Sequence, residues 1–177
     1  MRVRLAEIED IPALSAIMDA AIAELQRGFL SPAEIEASRA VMGLDTQLVR
    51  DRTYFAVEIK SELAGCGGWS RRATLYGGDH SGALRNDALL DPTCEPARVR
   101  AMYTRPDFAR RGIGRAILEA SEAAARAEGF AQAELMATLS GEPLYKACGY
   151  REAERVLAAP SADGVRVPLV RMIKRLM

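Results

Sequence analysis

The chain has 177 residues, 49% hydrophobic and 27% charged, the balance of a globular domain with enough apolar material to bury a core. Lys plus Arg and Asp plus Glu both number 24, so no global field favours nucleic acid or an anionic membrane, and any anion site has to be local. One histidine and three scattered cysteines, Cys66, Cys94 and Cys148, give no metal-ligand spacing, so no metal is expected.

No apolar run approaches the roughly 20 residues of a membrane-spanning helix. The segment Met1–Glu7 meets an acidic residue without the apolar stretch of a signal peptide, and the cysteine count is odd with no CxxC pair. The expectation is one domain over residues 1–177 in the reducing cytoplasm.

Val3–Leu5 reads as a first strand. A helix follows, with Asp10 as N-cap, Pro12 near its start, and Ile11, Leu14, Ile17, Met18, Ala21, Ile22 and Leu25 on one face. Ser31-Pro32-Ala33-Glu34 starts a second helix, with the Ser31 hydroxyl available to a first-turn amide. A further short helix fits Thr46–Arg50. Thr53–Ile59 and Leu63–Ser70 read as a hairpin turned at Lys60-Ser61-Glu62. Gly65, Gly67 and Gly68 weaken the second of these strands, and they point to a bulge or to the close approach of another segment.

Arg72–Pro96 has no periodicity; it reads as a binding loop, a lid or an oligomer contact, or as a cover for a short helix at Ala83–Leu90. His80 falls in its Gly-rich part as a loop residue, and no Gly-x-Ser-x-Gly elbow supports a serine hydrolase. Val99–Thr104 is the next strand. Arg111–Glu128 is a long helix whose inner face carries Ile113, Ile117, Ala120 and Ala124, small enough to sit close to a sheet, and Gly129 stops it. Ala133–Leu139 is a strand, Gly141–Cys148 a short helix stopped by Gly149, and Glu152–Ala158 and Val165–Arg175 are two last strands joined across Pro160–Gly164. The order β-α-α-β-β-β-α-β-α-β-β is that of an α/β fold, a mixed central sheet with helices on both faces.

The strongest chemical signal is Ala109-Arg110-Arg111-Gly112-Ile113-Gly114-Arg115-Ala116, between a strand and the longest helix. The first turn of a helix leaves amide hydrogens unpaired, and the helix dipole makes that end positive. Glycines at 112 and 114 remove Cβ atoms that would keep a phosphate from the backbone, and Arg110, Arg111 and Arg115 add local charge. These features describe a pyrophosphate seat. A Walker lysine and the third glycine of a Rossmann fingerprint are both missing. A second motif, Leu144-Tyr145-Lys146-Ala147-Cys148-Gly149-Tyr150, follows the next strand.

The pairing of these two motifs resembles the GNAT superfamily of N-acetyltransferases. Its signature is Gln/Arg-x-x-Gly-x-Gly/Ala, then a strand, a short helix carrying a tyrosine, and a Gly-aromatic pair; here these fall at Ala109–Gly114, Ala133–Leu139, Tyr145 and Gly149-Tyr150. The chain departs from the pattern at Ala109, where Gln or Arg is usual, and at Thr138-Leu139-Ser140, where an asparagine is often found. The resemblance implies acetyl-CoA as acyl donor, its pyrophosphate on the main-chain amides of Arg110, Arg111, Gly112, Ile113, Gly114 and Arg115. Its pantetheine arm would run along the strand edge at Met102, Tyr103 and Thr104, with Met102 or Tyr103 donating an amide to the thioester carbonyl. Tyr145 would be the catalytic residue, donating toward the departing sulfur.

The implied activity is acetyl transfer to a primary amine of a small molecule or peptide by direct attack. A non-catalytic acyl-CoA sensor or interaction module is the alternative. Glu95, Asp91, Glu24 and Glu58, with His80 as an outsider, are the general-base candidates, each read first as a solvated surface charge, and none is assigned. Cys148 lacks a histidine partner and reads as a small residue at a helix end; Trp69 reads as core. Neither nucleic acid nor membrane is an expected partner, and the last strand and the long loop are where a homodimer would form.

Overall fold

The computed structural model describes residues 1–176. In chain order the elements are β1 (Arg2–Leu5), α1 (Ile11–Leu25), α2 (Pro32–Ser38), α3 (Thr46–Arg50), β2 (Tyr54–Ile59), β3 (Glu62–Ser70), β4 (Ala97–Thr104), α4 (Ile113–Ala127), β5 (Gln132–Thr138), α5 (Glu142–Ala147), β6 (Arg151–Leu157) and β7 (Pro168–Arg175). The seven strands form one open sheet in the order β1-β2-β3-β4-β5-β7-β6. Only β4 and β5 run parallel, joined by the α4 crossover; the remaining neighbours are antiparallel. No helix among the described residues is long and apolar enough to cross a membrane.

Local chemistry explains most of the element starts. Ser31 Oγ accepts from the Glu34 amide at 3.2 Å while the Glu34 carboxylate accepts from the Ser31 amide at 2.8 Å, a reciprocal cap that starts α2. Asp45 caps α3 through the Gln47 amide at 3.0 Å. Asp10 stands at the N-cap of α1 as expected, but its side chain makes no cap bond there. It ends a short 3-10 turn, Ile8–Asp10, and its carboxylate is committed to the Glu7 amide at 2.8 Å and to Arg4 at 2.7 and 2.9 Å. The β2–β3 turn uses Lys60 and Ser61 at φ 50° and 65°, the two left-handed residues that match hairpin twist.

The glycines of β3 let α4 lie against bare backbone. A Cβ on Gly65 would stand 2.5 Å from Ile113 Cγ2, and one on Gly67 would stand 2.9 Å from Ile117 Cγ2. Ile113, Ile117, Val57, Ala64 and Phe108 form the apolar cluster beneath. A larger cluster on this face joins Leu118 and Ala125 of α4 to Val99, Leu135, Met172 and Trp69, whose ring meets Phe130 edge-on at 5.8 Å. Trp69 is therefore core. On the opposite face α1 packs Leu14, Ile17, Ala21 and Ile22 over Tyr54, Cys66 and Tyr103.

A β-bulge lies opposite Gly67. Cys66 pairs with Tyr103 and Gly68 with Arg100, so two residues of β4, Ala101 and Met102, face one residue of β3. Ala101 takes φ 51°, and its carbonyl accepts the Tyr54 hydroxyl at 2.6 Å. Beyond the bulge β4 and β5 diverge: their ladder holds only Ala97↔Ala133 and Arg98↔Glu134. Buried Glu134 is paired there with Arg98 and, at 3.1 Å, with Arg171.

The segment between β3 and β4 is a folded loop. It carries a 3-10 turn at Gly82–Leu84 in place of a helix over Ala83–Leu90, and its two limbs meet through Ala73 N–H to Ala88 O and Thr74 N–H to Asn86 O, both 2.9 Å. Arg72 ties it to Asp51 at 2.7 Å, and hydrogen bonding from the Arg72 guanidinium holds the Asp51 carboxyl below the usual carboxylate range against the opposing effect of burial. Its tip packs so closely on the α2–α3 turn that a Cβ on Gly78 would stand 2.8 Å from Gly43 Cα.

Candidate active site

The loop ahead of α4 is built from alternating backbone hands. Arg110 has φ 63° and Gly112 φ 81°, two left-handed residues separated by Arg111 just ahead of the helix. Gly112 stands at the N-cap of α4 and no side chain caps this 15-residue helix, so its first-turn amides face outward. A Cβ on Gly112 would meet nothing within 4 Å, which leaves open space in front of the helix end. Arg110, Arg111 and Arg115 are exposed around it. Arg111 lies over the Phe108 ring at 4.9 Å, and Arg105 lies over the same ring at 4.2 Å. These residues fit a diphosphate: main-chain donors, a positive helix end and three exposed guanidinium groups.

The two glycines have different reasons. Gly112 is required by its left-handed φ. Gly114 is helical, and its missing Cβ makes room for Leu144 of α5, whose Cδ2 would be 2.6 Å away; this corrects the reading of Gly114 as clearance for phosphate. Ile113 is buried among Val57, Ala64 and Phe108, so toward a ligand it offers its amide and not its side chain.

Where β4 and β5 separate, a narrow cleft is lined by Met102, Tyr103 and Tyr145 together with Leu135 and Thr138. The trans peptide that sends the Ala101 carbonyl to Tyr54 turns the Met102 N–H the opposite way. Met102 itself packs with the α4 cluster. Tyr103 sends its side chain to the α1 face, where its hydroxyl accepts the Gly43 amide at 2.9 Å. Thr104 pairs with Gly65 at the end of the β3–β4 ladder.

Tyr145 is half-buried in α5, edge-on to Tyr150 with ring centroids 6.0 Å apart. A Cβ on Gly141 would stand 3.0 Å from its ring, so that glycine clears its position. Burial pushes the Tyr145 phenol above its ordinary value, which keeps it protonated and able to donate. Burial likewise raises the Cys148 thiol, against the thiolate that a covalent step would need.

None of the five general-base candidates lines the cleft. Glu58 is held by Arg4 at 2.7 Å, Glu95 accepts from the Asp91 amide at 2.7 Å, and His80 Nε2 bonds the Arg39 carbonyl at 2.6 Å. Asp91 accepts from Thr93, and Glu24 is exposed on α1. The far wall draws on the long loop and the final hairpin, the segments expected to shape the acceptor site, but none of its residues was singled out from sequence. It comes from the α2–α3 turn (Met42 and Gly43), from the long loop (Leu75, Tyr76 and Gly77), and from Arg100 and Leu169. The available signal was the length of that loop; nothing local in sequence joined it to residue 43.

The family model of the GNAT acetyltransferase domain matches residues 50–152. Among solved structures, a GCN5-related N-acetyltransferase from Rhodopseudomonas palustris is 18% identical, with a TM-score of 0.71 over 99% of this chain and 95% of its own. The ribosomal-protein-alanine N-acetyltransferase from Brucella melitensis is 16% identical, with a TM-score of 0.67 over 99% and 100%. The PaiA N-acetyltransferase of Thermoplasma acidophilum, solved in complex with coenzyme A, is 14% identical, with a TM-score of 0.62 over 98% of both chains. No curated protein sequence matches. The matched segment spans more than half the chain and contains the helix-end loop, the parted strands and Tyr145. The chain belongs to the GNAT acetyltransferase family and is an acyltransferase.

Proposed function

We propose that the protein transfers the acetyl group of acetyl-CoA to a primary amine, on a small molecule or a peptide, by direct attack. The observation that carries this reading is the combination of three parts: the uncapped start of α4, the parted β4 and β5, and Tyr145 in the cleft between them. Acetyl-CoA supplies the activated thioester. The amides from Arg110 to Arg115 hold its diphosphate, and the free edge of β4 at Met102–Thr104 holds the extended arm by main-chain bonds. The Met102 N–H stabilises negative charge developing on the acetyl carbonyl oxygen. Tyr145 gives its phenolic proton, or a hydrogen bond, to the departing sulfur, and the proton lost by the amine nitrogen passes through solvent to restore the phenol or to the released thiolate.

Direct attack is supported by the two sides of the cleft. Tyr145 and Met102 pack with the α4 clusters, while Met42 and Tyr76 belong to apolar groups on the α1–α2 face. Donor and amine therefore reach the same gap from opposite faces, and both are present when the bond forms. Purified protein with acetyl-CoA and a panel of primary amines should release free thiol and yield the N-acetyl amine in equal amounts. Bound acetyl-CoA with no thiol released for any amine would refute the proposal.

A further inference from the structure

The wall facing the thioester end of the cleft has an unusual charge pattern. Val41, Met42, Leu75, Tyr76, Met136 and Leu169 line it, and several belong to one apolar cluster with Leu30 and Val167. Among the described residues lining the cleft there is no carboxylate, and Arg100 is the sole charged side chain. Both terminal nitrogens of Arg100 are committed, to Asp45 at 2.9 Å and to the Gly77 carbonyl at 2.7 Å, while its Nε is buried without a partner; the side chain is 2% exposed. The Asp45 carboxylate, 1% exposed, is taken by Arg100, by Arg85 at 3.2 Å and by the Gln47 amide.

From this wall we infer that the acceptor is a primary amine on an apolar body with no second positive charge. The inference rests on the acetyl transfer proposed above and names its substrate class. A diamine or polyamine would bury its distal ammonium against methionine, leucine and tyrosine, beside a guanidinium, without a carboxylate to receive it; an unpaired buried charge is strongly disfavoured. The same enclosure disfavours the charged form of the reacting amine. It therefore helps deliver the neutral nucleophile in a cleft that has no acidic base on its walls.

Hexylamine and 1,5-diaminopentane make a matched pair, since a terminal methyl in one is a terminal ammonium in the other. With 2-phenylethylamine, spermidine and 6-aminohexanoate they form the panel, scored by thiol release on the intact protein. Calorimetry follows acetyl-CoA uptake, and hexylamine uptake in the presence of CoA. The expected result is a kcat/KM for hexylamine and 2-phenylethylamine at least tenfold above that for the diamine and spermidine. Leu75→Glu, placed on the loop wall, should narrow the hexylamine-to-diamine ratio to below threefold in folded protein, and Met136→Glu is the second variant of this kind.

Equal or better use of the diamine overturns the inference. So does a preference for 6-aminohexanoate, which would make Arg100 a carboxylate receptor, and so does an unchanged ratio in folded carboxylate variants. Acetyl-CoA uptake with turnover of no amine overturns it as well. Failure to take up acetyl-CoA at all is a separate outcome, and it brings down the proposed function with it.

Discussion

Replacing Gly112 by alanine separates the helix-end loop as a structural turn from the same loop as a ligand seat. Gly112 stands at φ 81°, ψ 5°, and a Cβ there would meet no protein atom within 4 Å. The folded protein therefore loses only the conformational term, about 1–2 kcal/mol for an L-residue in the left-handed region. Urea denaturation of the unliganded protein measures that loss. The added methyl projects into the open space before α4, where a diphosphate would approach. Losing one charge-assisted hydrogen bond, worth about 1.5–3 kcal/mol, raises Kd roughly 10- to 100-fold. Calorimetry with acetyl-CoA on folded Gly112→Ala should show a rise of that size, and Gly112→Val a larger one. A variant that is destabilised as calculated but binds acetyl-CoA within twofold of the parent would refute the seat.

Gly114→Ala has a different signature, because its Cβ pushes Leu144 of α5; turnover should fall more than acetyl-CoA affinity, as read by kcat against Kd. Tyr145→Phe should lower kcat by at least tenfold, with acetyl-CoA affinity unchanged by calorimetry, and equal turnover removes Tyr145 from the reaction. Because burial raises the Tyr145 phenol, the donating form persists to higher pH than for a free tyrosine of pKa about 10. The alkaline fall of kcat assigned to this group should therefore lie above that value, and should be missing in Tyr145→Phe. Arg100→Met removes one partner of a pair whose side chains are 2% and 1% exposed, and such a loss costs about 3–5 kcal/mol. Since Arg85 still reaches Asp45 at 3.2 Å, denaturation should show the lower end of that range.

The elements that sequence made legible are those whose causes are local. Ser31, Pro32 and Glu34 sit within one turn of each other and start α2 by themselves; the periodic apolar residues of α1 and α4 need no partner to be recognised. The glycine loop and Tyr145 could be found because each belongs to a short contiguous motif. At Asp10 the N-cap position was legible and the bonding was not, because its carboxylate is taken by Arg4, a residue of the first strand. Gly114 misled because its neighbour Leu144 is thirty residues on. The long loop could be read as a binding segment, but the residues it meets could not, for the same reason: Gly43, Gly77 and Arg100 are distant in sequence, and they are joined by a tyrosine hydroxyl and a buried ion pair that periodicity does not encode.

The extra residue in β4 has a mechanical consequence. Tyr54, reaching across from β2, clamps the Ala101 carbonyl at 2.6 Å and so holds a peptide inside the bulge. The opening between the central strands is thus written into the resting molecule, and a guest need not prise the sheet apart to enter. Affinity for the donor is then spared the expense of deforming its host, and stiffness at this spot should persist whether the protein is empty or occupied.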